Sequence, residues 1–181
     1  RLPANSNAAA GDVSGSVGTS TGLRSKRAWA LLLTVLALGL IADLASKHLA
    51  FRHIADQPVT ITRAGVLDSV DPNRELIPRH RPITVVPKVL DLTLVLNQGA
   101  VFGMGSGKRW LFIVFTGGAL ALVLWMFGAW TRPRDCVAYV SLGLLLAGGL
   151  GNLFDRLVYA CVRDFIHPLP SVTIGHWAVW P

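Results

Sequence analysis

The sequence predicts an all-α polytopic membrane protein, with three transmembrane helices and a small extracytoplasmic β-rich element between spans one and two. Three observations predict it. Of 181 residues, 52% are hydrophobic and 15% charged, with mean hydropathy +0.50, against roughly 25% charged in an ordinary soluble domain. Three apolar runs are each long enough to cross a bilayer core of ~30 Å at ~1.5 Å per residue. Between the first two lies a polar, Pro-interrupted stretch carrying β-branched runs. This composition excludes a disordered chain. Two cysteines, Cys136 and Cys161, exclude a disulfide-rich scaffold and a Cys-based zinc module.

In chain order, residues 1–27 read as a flexible cytoplasmic tail. Arg1 to Gly22 are small and polar, too poor in apolar surface to offset ordering entropy, and a basic cluster follows at Arg24, Lys26 and Arg27. Residues 28–181 read as one membrane domain. Its first span, about 28–51, opens on an uncharged run from Ala28 to Ala42 and continues in helical pattern through Asp43 and Lys47. The segment 52–108 contains Pro58, Pro72, Pro78, Pro82 and Pro87. Its Val59–Thr62, Ile83–Val86 and Val89–Leu96 runs predict strands, with a Pro-broken loop from about Asp68 to Pro82. The second span, 109–130, has Trp110 and Trp130 at its ends, an aromatic-belt signal. The third, 136–156, is uncharged from Cys136 to Phe154.

Short-flank Lys and Arg set the orientation. Arg24, Lys26 and Arg27 precede span one, and Arg132 and Arg134 separate spans two and three. The positive-inside rule puts both groups, and the N-terminus, in the cytoplasm. The segment 52–108 and everything after span three then face outside. The net charge of +7 is read as membrane orientation rather than nucleic-acid binding, since basic residues do not interleave with stacking aromatics. None of His48, His53, His80, His167 and His176 has metal-ligand spacing, and neither a phosphate loop nor a Gly-x-Ser-x-Gly elbow is present. No metal and no cofactor is expected.

Four polar constellations remain. Asp43 and Lys47, four apart, form an i,i+4 ion pair that carries two charges at membrane depth, or brace a polar site. Asn97-Gln98-Gly99-Ala100-Val101-Phe102 is either a plain turn before a helix or a loop that holds a peptide backbone through Asn97. Gly148-Gly149-Leu150-Gly151-Asn152-Leu153-Phe154-Asp155-Arg156 combines small residues that permit tight helix packing with polar groups that are costly near lipid unless partnered. Asp164 stands in the mostly apolar run Val162-Arg163-Asp164-Phe165-Ile166, nine residues after Asp155. A carboxylate so placed is poised for an elevated pKa and for sharing one proton with a second carboxylate, one group acting as base on a water.

Taken together and in order, these pieces resemble the bacterial lipoprotein signal peptidase family, signal peptidase II, over roughly Arg27 to Pro181. Asp43-Leu-Ala-Ser-Lys47 is similar to its first motif. Asn97 to Phe102 is similar to Asn-x-Gly-Ala-Ala-Phe, with Val101 for the second Ala. Gly148 to Arg156 is similar to its Gly-rich Asn-x-x-Asp-Arg motif, and Val162-Arg-Asp-Phe-Ile166 to Val-Val-Asp-Phe, with Arg163 replacing a Val.

The resemblance implies an intramembrane aspartyl protease of the bacterial inner membrane, with four spans and a β-cradle facing outward. Such an enzyme removes signal peptides from diacylglyceryl-modified prolipoproteins, cutting before the lipid-bearing Cys, without a metal. It implies Asp164 as a catalytic aspartate. Asn97, Gly99, Ala100, Asn152, Asp155 and Arg156 would shape the site and hold substrate, with Asp43 and Lys47 as supporting polar residues. Prolipoprotein and membrane lipid are the implied partners, and a monomer is expected. The family's second catalytic Asp lies in a Phe-Asn-x-Ala-Asp motif at the start of the fourth span, whereas no Asp follows Asp164 here. With Arg1 in place of a start Met, a sequence fragment is the expected account. Two alternatives stand beside this reading: a catalytically inactive lipoprotein-binding membrane protein, and a small transporter or channel subunit.

Overall fold

The computed structural model of the chain describes residues 25–99, 109–132, 134–174 and 177–178. Three long helices dominate: α1 (Lys26–His53), α4 (Arg109–Trp130) and α5 (Cys136–Val158). Each is long and apolar enough to cross a membrane. Their starts and ends fall within two residues of the expected spans. Two short helices, α2 (Arg63–Asp68) and α3 (Pro72–Leu76), and strands β1 (Ile83–Val86) and β2 (Leu90–Asn97) lie between α1 and α4. After α5 come β3 (Val162–Pro168) and the small hairpin strands β4 (Thr173–Ile174) and β5 (Trp177–Ala178).

Local chemistry explains the helix boundaries. The Ser25 hydroxyl accepts from the Ala28 amide and caps α1, and the Thr62 and Asp71 side chains cap α2 and α3 in the same way. Pro72 opens α3, where its missing N–H costs nothing. The expected strand at Val59–Thr62 is extended but unpaired, because Thr62 instead caps α2. The expected Pro-broken loop from Asp68 to Pro82 contains α3, since Asp71, Pro72 and Glu75 are together a helix-start signal.

Helix α5 packs between α1 and α4. Its contact with α1 is close because small residues face it: a Cβ at Gly143 would press on Val35, and one at Gly151 would run into the Asp43 carboxylate. At the basic end of the bundle, Trp29, Phe127 and Tyr139 join all three helices through successive edge-to-face contacts, at 4.8 and 5.7 Å between centroids. Leu32, Leu142 and Leu146 fill the space beside them.

A three-stranded antiparallel sheet in the order β1-β2-β3 covers the opposite end. It is built from both sides of the membrane domain. β1 and β2 precede α4, while β3 follows α5 and pairs Val95 with Asp164 and Asn97 with Val162. Beyond the reach of β1, the free edge of β2 is covered by side chains. Asn73 donates to the Leu96 carbonyl at 3.0 Å and accepts from its amide at 2.7 Å. His80 Nε2 accepts from the Leu94 amide at 3.1 Å. These contacts close an edge otherwise open to pairing with another strand. A second core of Phe51, Ile61, Val66, Ile77, Leu94, Leu96 and Cys161 ties the end of α1 to α2, α3 and the sheet. Burial pushes the Cys161 thiol up to about 12.

Candidate functional site

The four constellations meet where the sheet caps the bundle. The Asp43–Lys47 pair on α1 is an ion pair at 2.9 Å, one turn apart on the face turned to α5. Lys47 is 4% exposed, and its ammonium is held by three oxygens: Asp43 Oδ2 at 2.9 Å, Asn152 Oδ1 at 3.0 Å and Asp155 Oδ2 at 3.5 Å. Three acceptors match its three protons, so the charge is tolerated at this depth.

Asp155 is fully buried. Its Oδ1 accepts from Arg163 Nε at 3.2 Å and Nη2 at 2.8 Å, and its Oδ2 accepts from the Arg163 backbone amide at 3.0 Å. Arg163 in turn stacks on the Tyr159 ring, 4.1 Å from its centroid. The carboxylate therefore fixes the first residues of β3 against the end of α5, which sets the position of the next residue, Asp164.

Arg156 works on the other side. Its Nη2 donates to the Gly99 carbonyl at 3.2 Å and its Nη1 to the Asn152 carbonyl at 3.4 Å, and its guanidinium lies 5.6 Å from the Phe112 ring of α4. The Asn97 side chain is used at both ends. Its Oδ1 accepts from the Gly99 amide at 3.0 Å, and its Nδ2 donates to Asp164 Oδ2 at 3.2 Å. Gly99 is buried, with its carbonyl held by Arg156. Ala100 lies outside the described residues.

Asp164 is thus set at mid-strand in β3, opposite Val95. Burial raises its pKa, opposed by the Asn97 hydrogen bond and by the positive charges of Lys47 and Arg156, and assisted by the nearby Asp155 carboxylate. Charge counting shows what opposes that rise: Asp43, Asp155, Lys47, Arg156 and Arg163 together carry one net positive charge, which an ionised Asp164 neutralises.

Asp164 borders two cavities. One, of about 660 Å³, is walled by Asn97, Gly99, Asn152 and Arg156 on one side and by Phe112 and Phe115 of α4 on the other. The other, of about 230 Å³, reaches Asp164 past Asp43, Lys47 and Ile166. A half-buried carboxyl with an amide donor beside it, in a largely apolar cavity at the end of a membrane bundle, is equipped to hold a peptide carbonyl and move a proton. Among the described residues, no group of three or more His, Cys, Asp or Glu side chains is arranged to hold a metal ion.

The structure brings Asp43, Lys47, Asn97, Gly99, Asn152, Asp155, Arg156 and Asp164 into one connected cluster. Two contributors were not identified as site residues from sequence. Arg163 was noted as a departure from a motif, and that departure was the available signal. The α4 wall of Phe112, Phe115 and Thr116 carried none, since apolar span residues look alike whether they face lipid or a cavity.

Fold and site define a polytopic membrane protein with a carboxylate-centred polar site at one end of its bundle. Residues 35–181 match the family described as signal peptidase (SPase) II. The chain belongs to that family, peptidase family A8, as a multi-pass membrane protein. It is 38% identical over 120 residues to a lipoprotein signal peptidase of Syntrophomonas wolfei, covering 66% of this chain and 70% of that protein. It is 33% identical over 105 residues to one from Chlorobium luteolum, covering 56% and 62%. With that of Mycobacterium avium it shares 28% identity over 157 residues, covering 87% and 72%. The match spans only about half, 51%, of the Mycobacterium tuberculosis relative. A solved structure described as a bacterial membrane enzyme superposes with TM-score 0.57 at 22% identity, over 84% of this chain and 75% of the other, which is a likeness of fold.

Proposed function

We propose that this chain belongs to an inner-membrane aspartyl endopeptidase that removes signal peptides from lipid-modified prolipoproteins, with Asp164 at its site. The sheet end would face away from the cytoplasm. The observation that carries the reading is the Asn97–Asp164 hydrogen bond at 3.2 Å in the wall of the larger cavity, because it joins two of the family's motifs, 67 residues apart, at one carboxyl.

In this reading Asp164 is the catalytic residue that exchanges a proton with water or with the scissile amide. Asn97 orients it and is available to the substrate backbone. Arg156 holds the Gly99 loop that forms the cavity rim, and the Asp43–Lys47–Asn152–Asp155 network keeps α1, α5 and β3 in register. The cavity, with apolar α4 residues along one wall, suits an extended signal-peptide segment entering from the bilayer. The family pattern pairs such an aspartate with a second one at the start of a fourth span.

The test is processing of a diacylglyceryl-modified prolipoprotein by the full-length gene product. Asp164→Asn is expected to abolish cleavage while leaving the protein folded and able to bind the substrate. Cleavage at the wild-type rate by Asp164→Asn overturns the assignment, and binding without turnover by the wild type favours the inactive lipoprotein binder.

A further inference from the structure

We propose that a third cavity, on the far side of Arg163 from the Asp164 cluster, is a binding site for a phosphate-bearing anion, the headgroup of an anionic phospholipid. The cavity measures about 380 Å³ and is bounded by the last turns of α1, the returning loop 58–61, and the Tyr159–Arg163 turn into β3. Val59 donates its amide to the Phe51 carbonyl at 2.8 Å, which folds the loop back over the helix end and makes the enclosure.

Its polar lining is cationic and comes from separate parts of the chain. His48 and Arg52 stand four apart on α1, so they share one face of the helix, and both are exposed. Neither makes a hydrogen bond or ion pair among the described residues. Arg163, which lines the cavity, commits Nε and Nη2 to Asp155, leaving its Nη1 as a further donor. Thr60 and Tyr159 add hydroxyls to the lining. Among the described residues no carboxylate borders the cavity. Asp155, the acid nearest to it through Arg163, is buried on the opposite side of that guanidinium. Guanidinium, imidazole and hydroxyl donors converging without an acid are the donor set a phosphate takes.

Position names the source. Helix α1 has 28 residues, about 42 Å at the helical rise, against a hydrocarbon core of ~30 Å. Its last two turns therefore stand in the headgroup layer, where His48 and Arg52 meet lipid phosphates rather than acyl chains. The proposal does not depend on peptidase activity.

The test is equilibrium binding by the full-length protein in neutral detergent, with phosphatidylglycerol, phosphatidylcholine and inorganic phosphate as separate probes. The wild type is expected to retain phosphatidylglycerol over phosphatidylcholine, and the double variant His48→Gln/Arg52→Gln to lose about tenfold in that affinity. The double variant Lys26→Gln/Arg27→Gln, which removes two cations at the other end of α1, is expected to bind as the wild type does. Competition by inorganic phosphate, lost in the same double variant, identifies the phosphate group itself as the ligand. Equal losses in both double variants, or no preference for phosphatidylglycerol together with no phosphate binding, overturns the proposal. An unchanged melting temperature for both variants confirms that folding is not what is being read.

Discussion

Arg163 grips the carboxylate of Asp155 with its backbone amide, Nε and Nη2, three hydrogen bonds between 2.8 and 3.2 Å across the junction of α5 and β3. The similar motif of the family has Val at this position. Here an arginine has been accommodated by giving its charge a buried partner and its planar face an aromatic one, Tyr159.

That pairing makes Arg163→Ala the most damaging single change expected at the site. It leaves the buried Asp155 with Lys47, at 3.5 Å, as its remaining ion-pair partner, and losing one member of a buried ion pair costs about 3–5 kcal/mol. Thermal unfolding in detergent should show the loss, and Asp155→Asn introduced with it should recover part of the stability. Unfolding at the wild-type temperature would refute the account of Arg163 as the anchor of β3.

Asp164 gives a pH dependence of definite sign. Its folded pKa lies above its unfolded value. The stability linked to this group is thus present below the ordinary carboxylate range and is lost as pH rises through the elevated folded pKa. Asp164→Asn removes the charge, so it should raise the melting temperature relative to wild type at neutral pH and have little effect in acid. A pH series of melting curves for the two proteins tests this.

Asn97→Ala should push the Asp164 pKa further up, because the Asn97 amide hydrogen bond favours the carboxylate. In the proposed catalytic role, with Asp164 acting in its ionised form, the acid limb of the pH–rate profile is expected to move to higher pH. An unmoved limb with a uniformly lower rate would assign Asn97 to substrate binding instead.

Two glycines one turn apart on α5 should respond oppositely. An alanine methyl at Gly151 collides with the Asp43 carboxylate, whereas one at Gly148 meets nothing within 4 Å. Gly151→Ala should cost about 1–3 kcal/mol by overpacking and disturb the Asp43–Lys47 pair. Gly148→Ala should be neutral or add up to about 1 kcal/mol through helix propensity. Unfolding measurements on both variants decide it.

Asn73→Ala removes the two hydrogen bonds that cover Leu96 on the open edge of β2. The expected cost is about 1–3 kcal/mol. Amide exchange at Leu96 should quicken, while the Leu94 amide, held by His80, should change less.

Much of this was legible in the chain. The spans follow from apolar run length, because a bilayer imposes one minimum length on any helix that crosses it. β1 and β2 follow from β-branched runs between prolines. β3 was not predicted, because Val162-Arg163-Asp164-Phe165 has two charges in a short run and reads as a polar exit from the membrane. The strand forms because Asp155 neutralises Arg163 and β2 offers Asp164 a neighbour, and both partners are distant in sequence or lie on another element.

The sequence by itself determined three membrane helices, a small β element beside them, and the residues able to do chemistry, since length, hydropathy and residue type are local properties of a chain. Tertiary structure alone decided which polar groups meet. The end of α5 and the register of β3 on β2 put Asp164 beside Asn97, Lys47 among three oxygens, and Arg163 between two cavities. Those distances depend on how separate elements pack, and no spacing along the chain encodes them.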